Sequence, residues 1–252
     1  MSMTKRLALL ALVCLLLLPS AALAASGGDD PKLIEALQSS SEAYEAKDYP
    51  KVKTLLTPWA EKNDPTATFV LGLLNARGEG GPKDLKAAEK WWKRSADAGN
   101  PLAQFNLGYL YFKGAVGGQD YPKARQYWSL AAKQGHPDAL YGLGVLQVSG
   151  EGGPKDVQGG INNFKAAADK GHPMAQYELG QAYLNGVGVK QDKKKAKDLF
   201  TKAAAKGMPE AKAALDAMGG GKQADKPVKK PSGKKPKQQK NSLQSRERAS
   251  RV

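Results

Sequence analysis

AQYELGQAYLNGVGVKQDKKKAKDLFTKAAAKG, residues 175–207, carries a pattern that recurs three times upstream at an interval of 36 residues. Leu71-Gly72, Leu107-Gly108, Leu143-Gly144 and Leu179-Gly180 stand one interval apart, and Gly78, Gly114, Gly150 and Gly186 keep the same step. Asp84, Asp120, Asp156 and Asp192 follow, then the rings of Trp92, Trp128, Phe164 and Phe200, then Ala96, Ala132, Ala168 and Ala204. Each unit closes on Gly99, Gly135, Gly171 or Gly207, and Pro101, Pro137, Pro173 and Pro209 begin what comes next. No insertion or deletion interrupts the series, and a fixed period of this length is the mark of a stacked repeat architecture.

One unit reads as two antiparallel helices. Over 99–135, Gly99 can take the left-handed conformation that ends a preceding helix. Asn100 is a favourable N-cap, and Pro101 suits a first helical position, where its missing N–H would be unpaired anyway. Ala103, Leu107, Leu110 and Tyr111 at helical spacing predict a helix to about Lys113. Residues 114–119 form a loop, and Asp120 caps a second helix with Ala124, Tyr127, Trp128, Ala131 and Ala132 turned inward. Small residues let the backbones approach while Trp128 fills the remaining space. One such pair buries too little surface to be stable, so its neighbours must complete the core. Aromatics make up only 7% of the chain against 28 glycines, which suits helices packed through small residues better than a β-sandwich.

One interval upstream, Asp48, Leu56, Ala60 and Pro65 fall in register, and KDYP at 47–50 echoes QDYP at 119–122. The expected organisation is therefore a diverged helix pair over 25–64, repeats over 65–100, 101–136, 137–172 and 173–208, and a capping helix over 209–218. These residues resemble the Sel1-like repeat family, relatives of the tetratricopeptide repeat. The family pattern is A-x-x-x-L-G-x-x-Y-x-x-G-x-G-V-x-x-D followed by K-A, an aromatic and A-A-x-x-G, and 175–207 matches it almost position for position. The resemblance implies an all-α fold, a right-handed α-solenoid of antiparallel helix pairs. It departs from the pattern at Asn75 and Gln147, which replace an aromatic, at Val116, which replaces a loop glycine, and at Gly160, which replaces an alanine.

The termini differ in kind. Lys5 and Arg6 precede an apolar run over 7–18, then Pro19-Ser20 and the small residues of Ala22-Leu23-Ala24. That is the layout of a signal peptide cleaved after Ala24, and it predicts export to the periplasm or beyond. An uncleaved anchor is the lesser alternative, since a spanning helix wants about 20 apolar residues. Cys14, the only cysteine, lies within this run, so the processed chain would hold no disulfide and no thiol nucleophile. Beyond Gly219 aromatics disappear, and eight Lys and three Arg face only Asp225 and Glu247, a net +9. Such a segment, 219–252, cannot bury enough apolar surface to offset its ordering entropy, which predicts a disordered basic tail. The formal charge of +15 therefore resides mainly there, residues 25–218 holding 26 basic and 22 acidic side chains, a net +4.

Several residues invite chemical readings and favour plainer ones. GEGGPKD at 78–84 and 150–156 follows a helix and ends in a capping Asp, whereas a phosphate loop follows a strand and ends in Gly-Lys-Ser/Thr. The four Asp at 84, 120, 156 and 192 suit N-caps and the helix dipole better than a metal array. His136 and His172 occupy the slot of Asn100, as exposed caps a full repeat apart, which is poor spacing for a shared zinc. No Ser/His/Asp, H-E-x-x-H or Gly-x-Ser-x-Gly arrangement is present, so no catalytic, cofactor or metal residues are assigned.

Binding residues are sought where the first helix varies while the frame repeats, because first helices line the concave face in the resembled superfamily. One slot reads Val70, Asn106, Gly142, Glu178; a second reads Leu73, Tyr109, Val145, Gln181; a third reads Arg77, Lys113, Ser149, Asn185. The candidates drawn from them are Arg77, Asn106, Tyr109, Lys113, Glu178 and Gln181. The expected function is a non-enzymatic exported scaffold that binds a protein partner. The alternatives are a tail that binds an anionic polymer (cell-wall polymer, lipopolysaccharide or nucleic acid) and an unrecognised cell-wall-related enzyme.

Overall fold

The computed structural model describes residues 30–219, so the signal peptide expected over 1–24 and the tail expected beyond Gly219 lie outside the described residues. Within 30–219 the chain forms eleven helices and no strand. A first pair, α1 (Pro31–Glu45) and α2 (Tyr49–Glu61), precedes four pairs of matched helices. These are α3 (Pro65–Arg77) with α4 (Leu85–Asp97), and α5 (Pro101–Lys113) with α6 (Tyr121–Lys133). Then come α7 (Pro137–Ser149) with α8 (Val157–Asp169), and α9 (Pro173–Asn185) with α10 (Lys193–Ala205). A single helix, α11 (Pro209–Gly219), closes the series. Each helix packs on the ones before and after it, and the first helix α5 also touches the next first helix, α7. The molecule is an all-α solenoid.

Caps fix where each helix begins and ends. The carboxylates of Asp84, Asp120, Asp156 and Asp192 each accept the N–H three residues on, at 2.8–3.0 Å. Asn100 accepts from Leu102 and Ala103 at the head of α5. First helices stop at Gly78, Gly114, Gly150 and Gly186, all left-handed, a conformation that costs glycine nothing sterically. The loop then closes through main chain alone. The N–H of Asp84, Asp120, Asp156 or Asp192 donates to the carbonyl of residue 75, 111, 147 or 183 at 2.8–3.0 Å. Because a carbonyl makes that bond, Asn75 and Gln147 replace a tyrosine there without cost to the turn.

The Leu-Gly pairs mark where the second helix presses on the first. A Cβ on Gly108 would stand 2.8 Å from Cγ of Trp128, and one on Gly144 or Gly180 would stand 2.7 or 2.6 Å from Cε1 of Phe164 or Phe200. The indole N–H groups of the two repeat tryptophans are also satisfied, Trp92 Nε1 donating to the carbonyl of Phe69 at 3.3 Å and Trp128 Nε1 to that of Phe105 at 3.1 Å. Asp216 stands one interval after Gly180, so α11 has no glycine to admit a further ring; it packs on Phe200 and Ala203 of α10 through Ala211. The core is a strip in three segments, with partly buried Ala132 and Tyr183 at their borders.

Local exceptions are compensated nearby. Val116 packs on the core, and the left-handed turn that Gly80, Gly152 and Gly188 supply elsewhere passes to Gly117 and Gly118. Gly160 makes room for Val148, whose Cγ2 would lie 2.5 Å from an added Cβ. Asn63 occupies the slot of Gly99 at φ 64°, an angle asparagine tolerates better than most residues.

Candidate interaction surface

First helices bury one side against their partners and leave the variable slots at the other. In α5, Leu107, Gly108, Leu110 and Tyr111 are buried, yet Tyr109 between them is 48% exposed. Its ring leans on Phe105, centroids 6.5 Å apart, and the Lys113 ammonium lies 5.8 Å from the ring centroid. Asn106, one turn before Leu110, is half-buried. On α9, Glu178 and Gln181 are half-buried, and Gln181 donates to the Tyr177 hydroxyl at 2.8 Å while accepting from Asn185. Arg77 is turned to structural use. It donates to the Tyr44 hydroxyl at 2.7 Å beside Glu79, tying the end of α3 to α1. The candidates therefore separate into Asn106, Tyr109 and Lys113 on α5, Glu178 and Gln181 on α9, and Arg77 apart from both.

Two members of the variable slots leave the surface altogether. Val70 is buried, and Gly142 lies against the six-membered ring of Trp128 in the preceding repeat, 2.8 Å separating a built Cβ from Cε3. The glycine at 142 records packing between repeats.

The histidines require a correction. They do cap α7 and α9, Nδ1 of His136 and His172 accepting from Ala139 and Ala175. They are not exposed: their side chains keep 12% and 11% of their accessible surface. The reason is an aromatic slot, Phe69, Phe105, Tyr141 and Tyr177, that recurs at the 36-residue interval and that reading within one unit passed over. Phe105 stacks on His136 at 4.7 Å and Tyr141 on His172 at 4.9 Å, each ring reaching from one repeat into the next. With Nδ1 occupied as acceptor, Nε2 of His172 carries the proton and donates to Asp138 at 3.2 Å. Burial lowers the His136 pKa against the pull of Asp138, and the His172 hydrogen bond lowers that of Asp138. Both imidazoles are thus spent on capping helices and holding repeats together.

A second cluster joins α4, α5 and α6. The Tyr111 hydroxyl donates to Glu89 at 2.6 Å, Lys93 pairs with the same carboxylate at 2.7 Å, and Tyr127 stacks on Tyr111. Burial, then the Glu89 acceptor, pushes the Tyr111 phenol up to about 12, so at neutral pH it remains a hydrogen-bond donor. Among the described residues no group of three His, Cys, Asp or Glu is placed to hold a metal ion.

Compared with family models, the chain matches the Sel1 repeat over residues 65–100, 101–136, 137–172 and 173–208. The chain belongs to the Sel1 repeat family. Among solved structures it is similar to a Sel1 repeat protein from Oxalobacter formigenes, at 32% identity and TM-score 0.67, over 71% of this chain and 74% of that one. It is also similar to c5321, a protective antigen present in uropathogenic Escherichia coli strains displaying an SLR fold. There the identity is 33% and the TM-score 0.62, over 65% of this chain and 35% of that one, so the Sel1 array matches about a third of c5321. No curated protein matches the chain. No helix among the described residues of this Sel1 protein is long and apolar enough to cross a membrane.

Proposed function

We propose that this Sel1 repeat protein is a non-enzymatic, exported scaffold that binds a protein partner through the first helices of its solenoid, α5 and α9 above all. Tyr109 carries the reading. A tyrosine left half-exposed between buried neighbours, with a lysine over its ring, has the composition of an interface anchor. The scaffold is already ordered by stacking, so a partner segment laid along it would order little of the array on binding. The charged n-region, apolar run and small residues before position 25 support export. A photo-crosslinker at position 109 recovers the partner, whose affinity is then measured for the intact chain and for Tyr109→Ala and Gln181→Ala. Tyr109→Ala weakens binding tenfold or more, about 1.4 kcal/mol. Equal affinity for all three proteins would refute the assignment. A second reading gives 219–252 to an anionic polymer, supported by its net +9.

A further inference from the structure

The charge of the folded array is concentrated in one place. Residues 190–206 hold seven lysines against Asp192 and Asp198, a net +5, as large as the net charge of all the described residues 30–219. The equivalent stretch of the preceding repeat, 154–170, holds Lys155, Lys165 and Lys170 against Asp156 and Asp169. Packing does not ask for the difference. α10 buries Ala196, Phe200 and Ala203, while Lys193, Lys194, Lys197 and Lys202 are exposed and make no ion pair with any described residue. Lys195 and Lys206 are engaged otherwise, the first by Asp192 and the Tyr183 ring, the second by the Gly171 carbonyl.

The arrangement costs the helix stability. Lys193, Lys194 and Lys195 fill its first three positions, where the macrodipole favours acidic side chains, and Lys193 and Lys197 repel one another as an i,i+4 pair. We propose that the outward face of α10 binds a linear, phosphate-bearing polyanion through Lys193, Lys194, Lys197 and Lys202. A polymer fits better than a bilayer. An interfacial helix needs a free apolar side, whereas the apolar side of α10 is buried in the array and its exposed positions between the lysines are Asp198, Thr201 and Ala205. This surface lies on a second helix of the pair, opposite in role to the first-helix slots, and stands independently of the protein partner proposed above.

The test measures binding of the full chain to long-chain inorganic polyphosphate across a salt series. It compares Lys193→Gln/Lys194→Gln/Lys197→Gln with a charge-matched control, Lys86→Gln/Lys90→Gln/Lys165→Gln, on α4 and α8. Each phosphate contact on a single-stranded polyanion contributes about 0.7 to the slope of log K against log salt. The α10 variant therefore loses about 2 from that slope, and the control keeps it. Removing charges that oppose the dipole stabilises α10, so the loss cannot come from misfolding; the thermal midpoint of the α10 variant rises slightly. Equal slopes for the two variants would reduce the effect to net charge, and an unchanged slope for the α10 variant would assign binding to the tail alone. Either result overturns the proposal, as would retention of the intact chain on phosphatidylglycerol vesicles with none on polyphosphate.

Discussion

Replacing Gly108 with alanine sets two opposed effects against each other at one atom. In an open helix the change stabilises by about 0.5–1 kcal/mol, because glycine loses more backbone freedom on folding. Here the added methyl meets Cδ1 and Nε1 of Trp128 and comes within 2.8 Å of its Cγ. The indole is buried, and its N–H is held by the Phe105 carbonyl at 3.1 Å. Overpacking a buried site costs about 1–3 kcal/mol, and displacing the ring leaves a donor and a carbonyl without partners at about 1–3 kcal/mol more. The net is a loss of about 3 kcal/mol, which in an array of this size lowers the thermal midpoint by about 10 °C. Urea and thermal unfolding of the full chain measure it, with Trp128→Leu and the double variant completing a cycle. The alanine penalty should largely vanish in the Trp128→Leu background, a coupling of about 3 kcal/mol. A Gly108→Ala protein as stable as the parent, or more so, would mean that helix propensity prevails and that ring-against-glycine packing does not define the repeat.

Two further perturbations follow from the inter-repeat contacts. Burial holds the His136 pKa below its unfolded value of about 6.5. The unfolded chain therefore takes up the proton first, and the stability contributed by the neutral ring is present above that pH and lost as pH falls below it. His136→Asn keeps a cap of the kind Asn100 provides, so unfolding in urea at pH 7 and pH 5 should show a smaller acid loss for the variant than for the parent; equal losses would contradict the assignment. Gln134 donates to both the Gly99 carbonyl and Gln104 Oε1, whereas Lys206 in the same slot reaches only the Gly171 carbonyl and leaves Gln176 Oε1 buried without a partner. Lys206→Gln should satisfy both acceptors and raise stability by about 1 kcal/mol in chemical denaturation; a neutral or negative change would show that the amide does not reach Gln176.

What the sequence made legible and what it hid differ by the distance over which a contact acts. Helix ends and the Leu-Gly seam were readable because cap, left-handed glycine and facing ring all belong to one 36-residue unit, and each repetition restates them. The shift of the left-handed turn from position 116 to Gly117 and Gly118 was hidden, since a loop can relocate its strain without changing its length. Contacts between units were hidden in a different way. His136 looks like a turn residue until Phe105 of the preceding repeat covers it, and Gly142 looks like a free surface slot until Trp128 lies against it. The aromatic slot at 69, 105, 141 and 177 was the available signal, since its periodicity reports stacking between repeats. The candidate surface was legible as variation against a constant frame. Variation alone does not distinguish a side chain facing solvent, as Tyr109 does, from one recruited for packing, as Arg77 is.

The claim on which the functional account rests is that the protein partner meets the first helices of the array and leaves the second helices α4, α6 and α8 free. Amide hydrogen exchange of the full chain, alone and saturated with the protein recovered by the crosslinker at position 109, measures this directly. The account predicts slowed exchange on binding across α5 and α9, with α4, α6 and α8 unchanged. Protection confined to α4, α6 or α8, with α5 and α9 exchanging as in the free protein, would contradict it.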